Sequence, residues 1–135
     1  MKMKKQEGKK ISLAKNVLNK CKYSLQGLAY CFKNESSFLL EAICACFIII
    51  FGIIFDIEFL EWVISFGSLA LISIVELINT AIEATVDMVT QEYNEYAKIA
   101  KDCGSAATGV MSVLAAIVNS IIFVPYFIEL FLNWF

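Results

Sequence analysis

Twenty-five consecutive residues without a charge, Gly104 to Ile128, constrain this chain more than any other feature. As a helix rising about 1.5 Å per residue, such a run exceeds the roughly 30 Å hydrocarbon layer of a membrane. Two shorter uncharged runs, Ala42–Phe55 and Val63–Val75, end against carboxylates. Either alone would suit a buried core helix. With the long run beside them they read as three spans whose polar ends sit in protein rather than lipid. One proline and six glycines in 135 residues leave long helices few interruptions. The expected fold class is therefore an all-α membrane protein, a single domain over 1–135.

Ahead of the spans, Ile11, Ala14, Leu18, Cys21, Leu25, Leu28 and Phe32 recur at alternating steps of three and four, with Lys15, Lys20 and Lys22 among them. That pattern predicts a cationic amphipathic helix lying in the membrane interface. The expected order is a lysine-rich flexible tail over about 1–10 and a surface helix over about 11–33. Membrane helices follow over about 37–55, 60–90 and 104–130. Asn34–Ser37 forms a cap-like break, and Asp56–Glu61 a short turn between the first two spans.

Charge placement orients these spans. All eleven positive charges are lysines, nine of them at or before Lys33, whereas the Asp56–Glu61 turn carries three acids and no lysine. Lysine retention on the cytoplasmic side puts the amino terminus and the Gln91–Cys103 loop inside and the acidic turn outside. Met1–Lys10 lacks the apolar core of a cleavable signal. The five cysteines form no CxxC pair and read as small apolar packing residues. Histidine is absent, which excludes histidine acid–base chemistry and histidine metal ligands. No nucleic-acid partner is expected.

The chemistry is concentrated in Glu76–Asp87, ELINTAIEATVD. Glu76, Asn79, Glu83 and Asp87 are spaced three, four and four, so they share one face of a helix that is otherwise apolar. Ionisable groups at membrane depth are costly and face protein or a water-filled site. No lysine or arginine falls within the predicted spans, so the carboxylates are better explained by a bound cation, protonation or a position near the inner surface. Glu35, at the junction of surface helix and first span, is by itself an ordinary first-turn acid favoured by the helix dipole. Its depth allows a second reading, in which it meets Glu83 and the two carboxylates hold magnesium together with substrate phosphates. Lys101 before Gly104-Ser105-Ala106-Ala107 is either a solvated loop lysine or, beside a helix amino terminus, a polyphosphate contact. Gly104 and Gly109 imitate the start of a P-loop, but Val110 stands where its lysine belongs.

These residues resemble the prokaryotic diacylglycerol kinase family, small trimeric membrane kinases. The resemblance rests on E-x-x-N-T-A-I-E-x-x-V-D at Glu76–Asp87, A-K-D-C-G-S-A-A at Ala100–Ala107, Asn34-Glu35 and Tyr23, and covers roughly Tyr23 to Phe127. It implies a surface helix and three transmembrane helices per subunit, and a homotrimer in the bacterial inner membrane. It implies ATP as phosphoryl donor and Mg2+ held by Glu35 and Glu83. The catalytic group would be Glu76, Asn79 and Glu83, with Glu76 accepting the proton of the lipid hydroxyl. Tyr23, Glu35, Glu83, Asp87, Glu92, Asn94, Lys101 and Asp102 would serve the nucleotide; Glu41, Glu76 and Ser105 would serve the lipid.

The chain departs from the family near Asn16, where an arginine is common and Lys15 or Lys20 must substitute without the planar fork. Its tail, Ile128–Phe135, is also longer than usual. Relatives phosphorylate either diacylglycerol or undecaprenol. The Gly-Ser-Ala-Ala element resembles the first kind; Glu61-Trp62 and the Pro125 region resemble the second, and diacylglycerol is the reading favoured. Two other classes compete: an ion or proton conduit gathering the acidic stripe around an axis, and a structural membrane subunit. The lysine- and aspartate-bearing inner loop weighs against a conduit, which has no use for it.

Overall fold

A computed structural model describes residues 2–134, with side chains from Leu13 and then from Lys15 onward. It contains four helices, α1 (Lys2–Asn34), α2 (Ser36–Ile54), α3 (Phe59–Val89) and α4 (Glu95–Trp134), and no strand among the described residues. The last three are each long and apolar enough to cross a membrane. The chain is an all-α membrane protein. It divides into two compact units, Met1–Ser36 and Ser37–Phe135.

In the first unit, α1 begins at Lys2, so the backbone of the expected tail is helical. Lysine, methionine, glutamine and glutamate are good helix formers, and only Gly8 opposes them, by about 1 kcal/mol. Side chains of the expected tail lie outside the described residues. Leu18 and Leu25 are exposed beside Lys15, Lys20 and Lys22, the pattern of a helix lying in an interface. The break before α2 is a single residue. Glu35 leaves the helix while its N–H still donates to Cys31 O (2.8 Å), and Asn34 Nδ2 satisfies Tyr30 O (2.8 Å).

In the second unit, α2 and α3 form an antiparallel hairpin whose turn is built by backbone hydrogen bonds. Ile57 N–H donates to Gly52 O (3.1 Å) and Asp56 N–H reaches towards Ile53 O (3.4 Å), with Asp56 at φ 50°. This is a Schellman ending, in which the left-handed position ordinarily takes glycine. Asp56→Gly is therefore expected to stabilise the fold by about 1 kcal/mol, read as a higher unfolding midpoint in detergent. Glu61 then secures the start of α3, its Oε2 accepting from Glu58 N–H (2.8 Å).

Gly52 of α2 makes room for the Trp62 ring of α3, because a Cβ there would lie 2.6 Å from Trp62 Cζ2. Phe51, Phe55, Tyr126 and Phe127 fill the same end between α2 and α4, with Phe55 stacked on Tyr126 at 5.5 Å between centroids. Ile48, Ile57, Ile122 and Phe123 are buried with them.

The α3–α4 seam is instead tied by polar contacts. Tyr126 Oη donates to Glu61 Oε2 (2.8 Å), Asn119 Nδ2 donates to Ser68 Oγ (2.9 Å), and Lys101 pairs with Asp87 (2.5 Å). Lipid tails provide no hydrophobic drive between helices, so hydrogen bonds and small residues have to hold such a seam. Outward, large apolar side chains such as Ile50, Ile53, Val110 and Leu114 remain exposed, as befits walls that face acyl chains.

Helix lengths set the depth of the chemistry. About twenty residues cross the hydrocarbon, so a layer starting near Glu61 ends roughly at Ala81. The last turns of α3 and the first turns of α4 therefore project together beyond the apolar slab. The third helix of the membrane unit starts well before the uncharged run because Asn94 caps it: Asn94 Oδ1 accepts from Tyr96 N–H (2.9 Å) and Ala97 N–H (3.1 Å).

Candidate active site

At this projecting end the strand of chain between α3 and α4 encloses an open groove of about 560 Å³. Asp87, Glu92, Asn94, Lys101 and Asp102 all line it, with Thr90, Tyr93 and Lys98. Five of the residues assigned to the nucleotide from the sequence thus meet in one place. Two sequence expectations need correction here. Lys101 does not stand beside a helix amino terminus but is inside α4, because Asn94 begins that helix earlier. Nor is every carboxylate of the stripe without a cation, since Lys101 Nζ donates to Asp87 Oδ1. Both partners are substantially exposed, so the pair adds at most about 1 kcal/mol to stability. Its effect is to aim an ammonium group, which has two further donors, into the groove.

One turn deeper, Asn79 Nδ2 donates to Glu83 Oε1 (3.0 Å). Asn79 is buried, and its Oδ1 has no hydrogen-bond partner among the described residues. It lies against Gly104 of α4, where an added Cβ would come within 3.2 Å of Asn79 Cγ and closer still to Oδ1. In the sequence Gly104 stood only as the first of the small residues after Lys101. In the structure it admits the Asn79 amide, and the amide orients Glu83. Among the described residues no three histidine, cysteine or acidic side chains gather as a ready-made metal cage. The stripe offers oxygens only, and Glu83 Oε2 has no protein partner among the described residues. One or two carboxylates completed by water and phosphate oxygens suit magnesium.

Glu76 lies two turns below Glu83, roughly 10 Å deeper along the helix axis. It is 6% exposed and accepts no hydrogen bond to its side chain among the described residues. Glu41 of α2 is its electrostatic neighbour, and Ser73 Oγ donates to Glu41 Oε2 in a short contact. Ser105 is exposed on α4 and does not line the groove. Tyr23, exposed on α1, and Glu35, at the α1–α2 break, belong to the first unit.

Sequence reading overlooked Ser73 and the Gly104–Asn79 contact. A signal for Ser73 existed: Glu41 and Ser73 stand equally far from Ile57, as do Gly52 and Trp62, which is the register of an antiparallel hairpin turning at that residue.

A buried acid within the spans, an oriented carboxylate above it and a polar groove of mixed charge at the membrane rim suit an integral membrane phosphotransferase with a lipid acceptor. Comparison with known proteins agrees. Residues 22–123 match the family described as prokaryotic diacylglycerol kinase. The undecaprenol kinase of Bacillus subtilis (strain 168) is 37% identical over 93 residues, 69% of this chain and 76% of that protein. The diacylglycerol kinase of Haemophilus influenzae is 36% identical over 103 residues, covering 76% and 87%. That of Pseudomonas aeruginosa is 39% identical over 93 residues, covering 69% and 76%. The chain belongs to the prokaryotic diacylglycerol kinase family. It is a lipid kinase rather than an ion conduit.

Proposed function

We propose that the protein phosphorylates diacylglycerol to phosphatidic acid with ATP and Mg2+, at the cytoplasmic face of a bacterial inner membrane, as a homotrimer with its amino terminus inside. The observation that carries this reading is the single α3 stripe running from buried Glu76, through Asn79 and Glu83, to Asp87 in the groove. It joins the bilayer, where the acceptor lies, to the aqueous rim, where a nucleotide arrives.

Phosphoryl transfer asks chiefly for alignment and charge stabilisation. Asp87, Glu92, Asn94, Lys101 and Asp102 surround the nucleotide, with Lys101 donating to its phosphates. Asn94 does this while its side chain caps α4, which leaves its amide N–H2 for the ligand. Tyr23 and Glu35 of the first unit are assigned to the nucleotide on the family resemblance alone. Glu83, steadied by Asn79, and Glu35 would hold magnesium, which supplies positive charge against that developing on the phosphate oxygens. Glu76 receives the proton of the lipid hydroxyl from its position on the same face but deeper. Glu41 and Ser105 attend the lipid.

The similarity to an undecaprenol kinase supports a second reading, in which a polyprenol is the acceptor. The two are separated by offering the purified protein diacylglycerol and undecaprenol in vesicles with Mg-ATP. Faster transfer of label to diacylglycerol is expected; faster transfer to undecaprenol would reverse the choice, and none to either would end the proposal.

A further inference from the structure

Glu41, Ser73 and Glu76 form a polar group inside the spans with an unused hydrogen-bonding edge. Ser73 Oγ occupies Glu41 Oε2, whereas Glu41 Oε1 has no hydrogen-bond partner among the described residues. Glu76, nine-tenths buried, is likewise without one among the described residues, and it is the electrostatic neighbour of Glu41. A polar atom left unmatched at this depth is costly, and a substrate that completes it gains accordingly.

We infer that Ser73 positions Glu41 as a second contact for the lipid, one that recognises an ester group beside the hydroxyl held by Glu76, and so selects glycerides over polyprenols. The inference rests on the kinase reading above. In a diacylglycerol the carbon bearing the hydroxyl adjoins a carbon carrying an ester; in a polyprenol it adjoins hydrocarbon only. In this reading Glu76 acts as the base and Glu41 takes part in its protonated form. Oε1–H then donates to the ester carbonyl while Ser73 fixes the carboxyl through Oε2. A polyprenol leaves Oε1 unmatched. A site built to hydrogen-bond its substrate rejects the analogue that lacks the partner.

The test compares dioctanoylglycerol with its ether-linked counterpart, dioctylglycerol, which keeps the hydroxyl and chains but has no carbonyl. With the wild-type protein in vesicles, kcat/KM for the ester is expected to exceed that for the ether about tenfold or more. Ser73→Ala is expected to bring the ratio towards one and to lower the preference for diacylglycerol over undecaprenol, with the KM for ATP unchanged. Equal wild-type rates on ester and ether would overturn the inference while leaving the kinase reading intact, and this comparison needs no variant to fold. Retention of the full ratio by Ser73→Ala would overturn it too. Failure of the wild-type protein to phosphorylate any lipid alcohol would instead refute the kinase reading itself.

Discussion

Glu83→Gln is expected to lower ATP-dependent lipid phosphorylation about a thousandfold, because a carboxylate that brings a cation to the phosphates supports several kcal/mol of transition-state stabilisation. The substitution removes charge and little else. Glutamine keeps a carbonyl oxygen where Glu83 Oε1 accepts from Asn79 Nδ2, so the 3.0 Å contact and the helix survive. Assembly in detergent, followed by elution volume and helix content, should match the wild type. Transfer of labelled phosphate to lipid at saturating magnesium is the measurement, with the magnesium dependence of nucleotide-analogue binding beside it. Unaltered turnover and unaltered magnesium dependence would remove Glu83 from the metal site.

Gly104→Ala is expected to cost about a hundredfold in kcat, the scale of a displacement near 1 Å in a positioned group. The new methyl group meets the Asn79 amide, which is 8% exposed and has nowhere to retreat without parting α3 from α4 or turning away from Glu83. Alanine favours an isolated helix by about 1 kcal/mol over glycine, so a loss of activity with helix content preserved isolates the contact. Gly109→Ala is the control. Among the described residues no atom lies within 4 Å of a Cβ built there, and wild-type activity is expected. Equal activity in the two variants would show that Gly104 has no part in orienting Glu83.

These two positions mark how far the sequence could be read. Glu83 was legible because a carboxylate at helical spacing from Glu76, Asn79 and Asp87, on an apolar helix, has few explanations. The spans were legible for the same reason: uncharged runs of bilayer length are rare. Gly104 was visible as the start of a run of small residues, but without a neighbour. Nothing in its local pattern tells whether an absent side chain makes room for a phosphate or for an amide on another helix. Lys101 was misplaced, as the beginning of α4 was taken from the end of the charged residues rather than from the cap at Asn94. Charged residues end a span but not a helix.

By itself the sequence determined the helical class, the three spans and the acidic stripe at one end of α3, since these follow from hydropathy and from a period of 3.6 residues, both local properties. Tertiary structure alone decided that Lys101 pairs with Asp87, that Gly104 receives Asn79, and that Ser73 from α3 reaches Glu41 from α2. Each is a contact between helices, and its existence depends on register and rotation about the helix axes. In a bilayer those are set by a few hydrogen bonds and close approaches, Asn119 to Ser68, Tyr126 to Glu61 and Gly52 to Trp62, and not by hydrophobicity, which the lipid-facing and seam-facing sides share.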